Sequence, residues 1–421
     1  MTVNRREFLA GAAAVAASLQ PGLSIAASFP PPLAAGSPLP PTVRADFPWA
    51  TREVFLNSAA YHPISVHSAR AMEEYIGYRL AGAPSGLDDV GATGRGTGGA
   101  KQAAVKELFG RLINAKPTEI AFVQSTSDGE SVVVAGMDMA KRGGNVVVDD
   151  LHYASAVYMY RRLERETDLE VRLVKNRDGV IDMADMERVV DGDTRLVSMA
   201  LVSNINGYRH DVKAISDLAH AHGAYVYADV IQAAGNTPID VKAIGLDLCA
   251  CSSYKWLMGS RGFGFLYVRE DLQGSVVKPT RYGHRQVARF DLEENHWELE
   301  PGAAQYETGN VSNVGAACVY ESLRYILNLG VENIRNHVRP LTDRLQQELP
   351  AMGYPALTPP RNESPIVVFR LPDPARTAAD LARAGIATTV SQGDARIRIS
   401  PSVFNTDHDI DRLIGAMSGS G

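Results

Sequence analysis

From about residue 98 the chain alternates short, continuous apolar runs with segments of helical period, and no other feature constrains its fold as strongly. Apolar runs at residues 120–123, 145–148, 169–174, 196–202, 224–228, 246–250 and 262–268 read as strands. Helical spacing predicts helices over 100–113, 128–139, 155–166, 183–190 and 212–222, lying between several of them. Strands that are apolar on both faces and separated by helices form a mainly parallel sheet covered on both sides. The expected fold class is therefore α/β, with a large domain built on a mainly parallel seven-stranded sheet. After Gly309 the pattern changes. Helices at 312–329 and 331–349, strands at 366–369 and 395–399 and a helix at 407–417 predict a smaller C-terminal α+β domain.

The amino terminus reads differently. Asn4-Arg5-Arg6-Glu7-Phe8-Leu9 leads into an apolar stretch over 8–19, shorter than the roughly 20 residues that a membrane-spanning helix needs. Basic, apolar and small residues in that order predict a signal peptide over 1–27. Arg5-Arg6 followed by Phe-Leu resembles the bacterial twin-arginine signal, which implies the export machinery for folded proteins and a periplasmic mature form with no membrane segment. Six prolines between Pro30 and Pro41 predict an extended spacer over 28–45 that joins no packed element. The large domain is then expected over 46–311 and the small one over 312–421. Lys and Arg number 42 against 48 Asp and Glu, a net charge of −6, so there is no basic footprint for nucleic acid or anionic lipid. A small molecule is the expected partner. Cys249, Cys251 and Cys318 are too few for a disulfide framework and read as core residues.

In an open parallel sheet, ligands bind beyond the carboxyl ends of the strands. After Phe122-Val123 comes Gln124-Ser-Thr-Ser-Asp-Gly129, hydroxyls and backbone N–H groups at a helix start that suit a phosphate or serve as an N-cap. Ser203-Asn204 follows another strand. Tyr225-Val-Tyr-Ala228 runs into Asp229, with Gln232 three residues on. A carboxylate ending a buried strand needs a cation or donors, and a protonated heteroaromatic nitrogen would serve. Lys255 stands 26 residues later, between Ser252, Ser253 and a glycine-rich return. A lysine desolvated there can act as an amine nucleophile.

Strand-Asp-x-x-Gln followed by Ser-x-x-Lys-Trp resembles the fold type I pyridoxal-phosphate (PLP) enzymes, and within them the class V aminotransferase group that includes cysteine desulfurases and isopenicillin N epimerase-like proteins. The resemblance spans roughly residues 53–415. It implies PLP as cofactor, Lys255 as the Schiff-base lysine and Asp229 as the carboxylate that keeps the ring nitrogen protonated. Gln232 and Asn204 match the pair at the ring phenolate oxygen, and His152 matches the residue stacked on the ring. Thr126, Ser127 and Ser252 match phosphate ligands. Thr308-Gly309-Asn310 resembles a segment that completes the phosphate cup of a neighbouring subunit, which implies a homodimer with shared sites; Asn310 stands where the family usually has Thr. Arg398 matches the arginine that grips the substrate carboxylate, and Asn57 is placed with it on the substrate side.

Two departures shape the expected reaction. Residues 384–395, the stretch before the Arg398 strand, contain no Cys, and Tyr254 precedes the lysine where desulfurases have His. Tyr254 is left to touch the phosphate or relay a proton, or to be a core residue. The expectation drawn from these departures is amino-group transfer on an amino acid or an exported metabolite such as a siderophore. Epimerisation or C–S/β-elimination stands as the alternative, and cysteine desulfuration is excluded. A zinc hydrolase using His152, His210 and Asp229 is remote, because no close ligand spacing such as HExxH is present.

Overall fold

The computed structural model describes residues 31–81, 97–141 and 143–419. The signal expected over 1–27 lies outside them. The first strand, β1 (Val54–Phe55), joins the small domain. Seven strands form the large sheet: β2 (Ile120–Val123), β3 (Asn145–Asp149), β4 (Glu170–Val174), β5 (Thr194–Ala200), β6 (Tyr225–Asp229), β7 (Leu248–Ser252) and β8 (Gly264–Val268). Their order is β2-β8-β7-β6-β5-β3-β4. Strands β3 to β7 run parallel, and β8 is antiparallel to both neighbours. Strands β2, β3, β5, β6 and β7 therefore end at one edge.

The sheet is covered on both faces, as the unbroken apolar runs require. Val147, Val197, Val226 and Phe265 point into one buried cluster, while Val146, Leu196, Tyr227 and Leu266 point into the other. Burying a side chain of this size contributes about 1.5–3 kcal/mol, against roughly 0–1 kcal/mol for an exposed ion pair. The two-faced apolar strands thus hold the strand ends, and whatever chemistry follows them, in fixed positions.

The small domain is a three-stranded sheet of β11 (Val367–Arg370), β14 (Arg396–Ile399) and β13 (Thr389–Ser391), with β12 (Ile386–Ala387) paired to β1. A hairpin of β9 (Val287–Asp291) and β10 (His296–Leu299) stands apart from both sheets. The Asn313–Leu329 helix, expected to open the small domain, instead places Val319, Leu323 and Ile326 in the core of the large sheet. The small-domain core combines Val54 and Leu56 with Leu341 to Met417. Helical period identifies a buried face but not the core that buries it.

The unpacked spacer expected over 28–45 is corrected for its described part. Leu33 N donates to Asn328 O at 2.9 Å, and Gly36 N to Asn333 Oδ1 at 2.8 Å. Val43 is buried in the large core, within a 3₁₀ turn over Pro41–Asp46. Proline costs nothing at the first position of that turn, where its missing N–H would have had no partner. Arg44 forks onto buried Asp409 at 2.6 and 3.0 Å and onto Phe404 O at 2.8 Å. Arg44→Ala should therefore lower unfolding stability by about 1–3 kcal/mol, the worth of charged hydrogen bonds to a buried carboxylate. Denaturant unfolding followed by circular dichroism measures this, and an unchanged midpoint would return the segment to a passive role.

Candidate active site

The loops that follow β2, β3, β5, β6 and β7 at the common edge of the sheet carry nearly all the residues singled out above. Beyond β2, Ser125 caps the Thr126–Gly136 helix by accepting from Asp128 N at 3.1 Å. Thr126 and Ser252, from the ends of β2 and β7, are locked together. Thr126 N donates to Ser252 Oγ at 2.9 Å and Ser252 N to Thr126 Oγ1 at 3.0 Å. The helix can approach β7 this closely because residue 129 is Gly; a Cβ there would stand 2.6 Å from Ala250 Cβ. Ser127 is exposed and its hydroxyl meets Ser155 at 3.3 Å. Helix N–H groups with flanking hydroxyls form an anion site. Asn310 is exposed, with His284 Nε2 3.4 Å from its Oδ1. No hydrogen bond among the described residues joins it to Thr126, Ser127 or Ser252.

Asp229 ends β6 and is buried, its Oδ1 accepting from Ile231 N at 2.9 Å. Burial pushes its carboxyl up to about 6 against the opposing pull of His152 and Lys255. Lys255, one short turn beyond β7, is 8% exposed. Burial, reinforced by Arg398 and opposed by Asp229, brings its amine down to about 8. Such an amine is about one-tenth neutral at pH 7, far more than an ordinary lysine, and that neutral fraction is able to bond carbon or take a proton. Its Nζ lies 5.8 Å from the centre of the Tyr254 ring, and the Arg261 guanidinium lies 5.6 Å from the same ring. Tyr254 is half-buried, and burial raises its phenol.

Arg398 comes in from the small domain. Its Nη1 donates to Asn204 O at 3.1 Å and Nη2 to Thr389 Oγ1 at 3.4 Å. Thr389 Oγ1 in turn donates to Asn57 Oδ1 at 2.7 Å, so Asn57 and Arg398 belong to one chain of contacts. Arg398 Nε is buried with no partner. Burial and the neighbouring Arg396 bring its guanidinium down to about 10, so it remains a cation. The side chain of Gln232 is committed elsewhere than the sequence suggested: Nε2 donates to Ala59 O at 3.1 Å and Oε1 accepts from Trp256 Nε1 at 2.8 Å. His152 is buried beside Ser198 and Glu130. Sequence reasoning missed Glu130, Ser198 and Thr389. None of the three ends an apolar run, so none left a signal that periodicity could have followed.

These residues fit PLP. Asp229 is a buried carboxylate in need of a cation, the helix start is an anion site, Lys255 is a desolvated amine, and Arg398 is a largely buried cation whose Nε has no hydrogen-bond partner in the protein. Among the described residues, no group of three or more His, Cys, Asp or Glu could hold a metal ion.

Comparisons with known proteins agree on the cofactor and redirect the chemistry. A protein of Methanothermobacter thermautotrophicus named a probable cysteine desulfurase is 32% identical over 330 residues, 78% of this chain and 80% of its own. The apo structure of a cysteine desulfurase from Thermococcus onnurineus superposes with a TM-score of 0.81 at 24% identity, covering 92% of this chain and 99% of that one. The cystine C–S lyase C-DES, in complex with its product cysteine persulfide, superposes with a TM-score of 0.79 at 18% identity over 88% of this chain and 99% of its own. A variant of that lyase holds glycine covalently linked to its PLP cofactor. The fold is that of fold type I PLP enzymes, and PLP is the cofactor.

The exclusion of cysteine desulfurases, and with it the amino-transfer expectation, is overturned by the desulfurase-named relative. Residues 62–413 match the class-V aminotransferase model, and the chain belongs to that family.

Proposed function

We propose that the chain is a PLP-dependent lyase that breaks the Cβ–S bond of a cysteine-type amino acid, cysteine or its disulfide. The observation that carries this reading is the pairing of Lys255, its amine brought down to about 8, with the unpartnered Nε of Arg398. The name of the desulfurase-like relative supports it. When bound, PLP supplies an electron sink for the pair left on Cα as its proton departs. Arg398 holds the α-carboxylate through Nε and an adjacent Nη, while Thr389 and Asn57 keep the guanidinium in place. Lys255 takes the Cα proton. Asp229 holds the positive charge that stabilises the electron-rich state. The Cβ–S bond then breaks with its electron pair leaving on sulfur, which takes a proton. With one water, cysteine gives pyruvate, ammonia and hydrogen sulfide; cystine gives pyruvate, ammonia and cysteine persulfide. The chain's own thiols do not accept the sulfur, because Cys249, Cys251 and Cys318 are all buried.

The test supplies cysteine and cystine to the holoenzyme and measures pyruvate, ammonia and sulfide or persulfide. Equal amounts of pyruvate and ammonia are expected. Alanine in place of pyruvate would overturn the elimination step, and no sulfur product from either substrate would overturn the whole reading. The same proposal includes export through residues 1–27 and a homodimer in which Asn310 reaches the partner's phosphate site. Secretion of a fusion dependent on Arg5 and Arg6, and light scattering of the holoenzyme, test these two points.

A further inference from the structure

Glu130 is a carboxylate with no duty in the reaction described above, yet it is only 4% exposed. Burying a lone carboxylate is costly unless donors or a cation satisfy it. Three side chains converge on its Oε1: the Tyr160 hydroxyl at 2.9 Å, the Ser198 hydroxyl at 2.8 Å and His152 Nε2 at 3.4 Å. Ser198 has one hydroxyl proton, which it gives to Glu130. It must therefore accept from His152 Nε2, 3.1 Å away. His152 Nδ1 accepts from Tyr153 N at 2.7 Å. Both ring nitrogens thus have assigned roles, and the ring can neither flip nor exchange tautomers without breaking a buried contact.

We propose that Glu130 is a positioning residue that, with Ser198 and Tyr160, holds His152 as the Nε2–H tautomer, its ring fixed in orientation against the cofactor. This rests on the reading that His152 faces PLP. The arrangement brings the Glu130 carboxyl to the Nε2 edge of the ring, while Asp229 ends β6, two strands away from β3. Glu130 on its helix, Asp149 on β3 and Asp229 on β6 are the charged groups that bear on His152. Asp149 is itself paired with His210 at 3.2 Å, and Tyr160 and Tyr227 face Glu130 as neutral phenols. Burial alone would lower the pKa of His152, but the Glu130 carboxylate, aided by Asp149 and Asp229, raises it. Removing Glu130 should let burial win.

The experiment follows the nitrogen resonances of ¹⁵N-labelled histidine in the apo-protein across pH, and the visible band of the holoenzyme across the same range. Wild type should show His152 as the Nε2–H tautomer, titrating above the ordinary value. Glu130→Gln should lower that titration by about one pH unit or more and shift the pH profile of the visible band, and Glu130→Asp should restore part of both. If Glu130→Gln does not fold, Ser198→Ala carries the test: it keeps the carboxylate but removes the intervening hydroxyl, and should loosen the tautomer preference. Wild-type tautomer, titration and band profile in whichever variant folds would overturn the proposal, even if turnover fell. The apo-protein measurement needs no turnover, so it can fail while the lyase assay succeeds, and the reverse.

Discussion

Lys255→Ala protein is expected to bind PLP only reversibly, with no cofactor fixed by borohydride, and to turn over on the order of 10³-fold or more slowly. The substitution removes two functions at one atom. Nζ is the amine that can bond the cofactor and, in the proposed reaction, the base that takes the Cα proton; a positioned proton-transfer group alone is worth roughly 10²- to 10⁴-fold. Position makes it suitable. Lys255 follows the last residue of β7 by three, inside a turn closed by Met258 N donating to Lys255 O at 2.8 Å. The backbone therefore fixes where the amine emerges. Lys255→Arg separates the two effects of charge and reactivity, since guanidinium stays protonated and cannot act as base. It should be as inactive as Lys255→Ala although it keeps the cation near Asp229. Turnover within tenfold of wild type in either variant, with far-ultraviolet circular dichroism unchanged, would remove Lys255 from the chemistry.

Why Lys255 and Asp229 could be read from sequence while Glu130 could not is a matter of where polarity meets burial. The apolar run of β6 stops at Asp229 and that of β7 is followed within three residues of its end by Lys255, and a parallel sheet puts both stops at one edge. Glu130 breaks no run. It sits one position before Ser131 and two before a trio of valines, and its partners Tyr160 and Ser198 come from 30 and 68 residues away. Glu130 and Tyr160 lie on two helices and Ser198 on β5, and only the packing of those helices on the sheet brings them together. Gln232 shows the converse limit. Its place after Asp229 was legible, but its side-chain partners, Ala59 and Trp256, come from loops that the pattern did not connect to it. The proline-rich segment misled for a different reason. Composition shows that residues 30–41 cannot join a helix interior or a sheet ladder, but Leu33 and Gly36 still bond to Asn328 and Asn333, and the 3₁₀ turn that begins at Pro41 buries Val43 and ties Arg44 to Asp409. The reaction was misjudged because the absence of a thiol in residues 384–395 was taken to exclude a whole reaction class, whereas a relative named a probable cysteine desulfurase is 32% identical to this chain.

Asp229→Asn should trade function for stability, and the sign follows from linkage. The Asp229 carboxyl titrates at about 6 in the folded apo-protein against an ordinary value of 3.8. Between those values the folded state binds more protons than the unfolded one, so stability contributed by this group falls as pH rises from about 4 to about 6 and stays lost above it. At pH 7 the wild-type apo-protein carries a buried charge whose burial Ile231 N, His152 and Lys255 only partly offset. Replacing it by a neutral amide of the same shape should raise apo-protein stability by about 1–3 kcal/mol and flatten its dependence on pH across that window. In the holoenzyme the charge has a partner, and its removal leaves the opposite cation buried alone, a loss of about 3–5 kcal/mol. That corresponds to roughly 10²- to 10⁴-fold in turnover or cofactor affinity. Thermal unfolding of both apo-proteins at pH 4.5 and pH 7, set beside holoenzyme kinetics, checks the two halves together. A variant less stable than wild type at pH 7 would mean that Asp229 is satisfied within the apo-protein. The ring nitrogen would then not be what its position at the end of β6 is for.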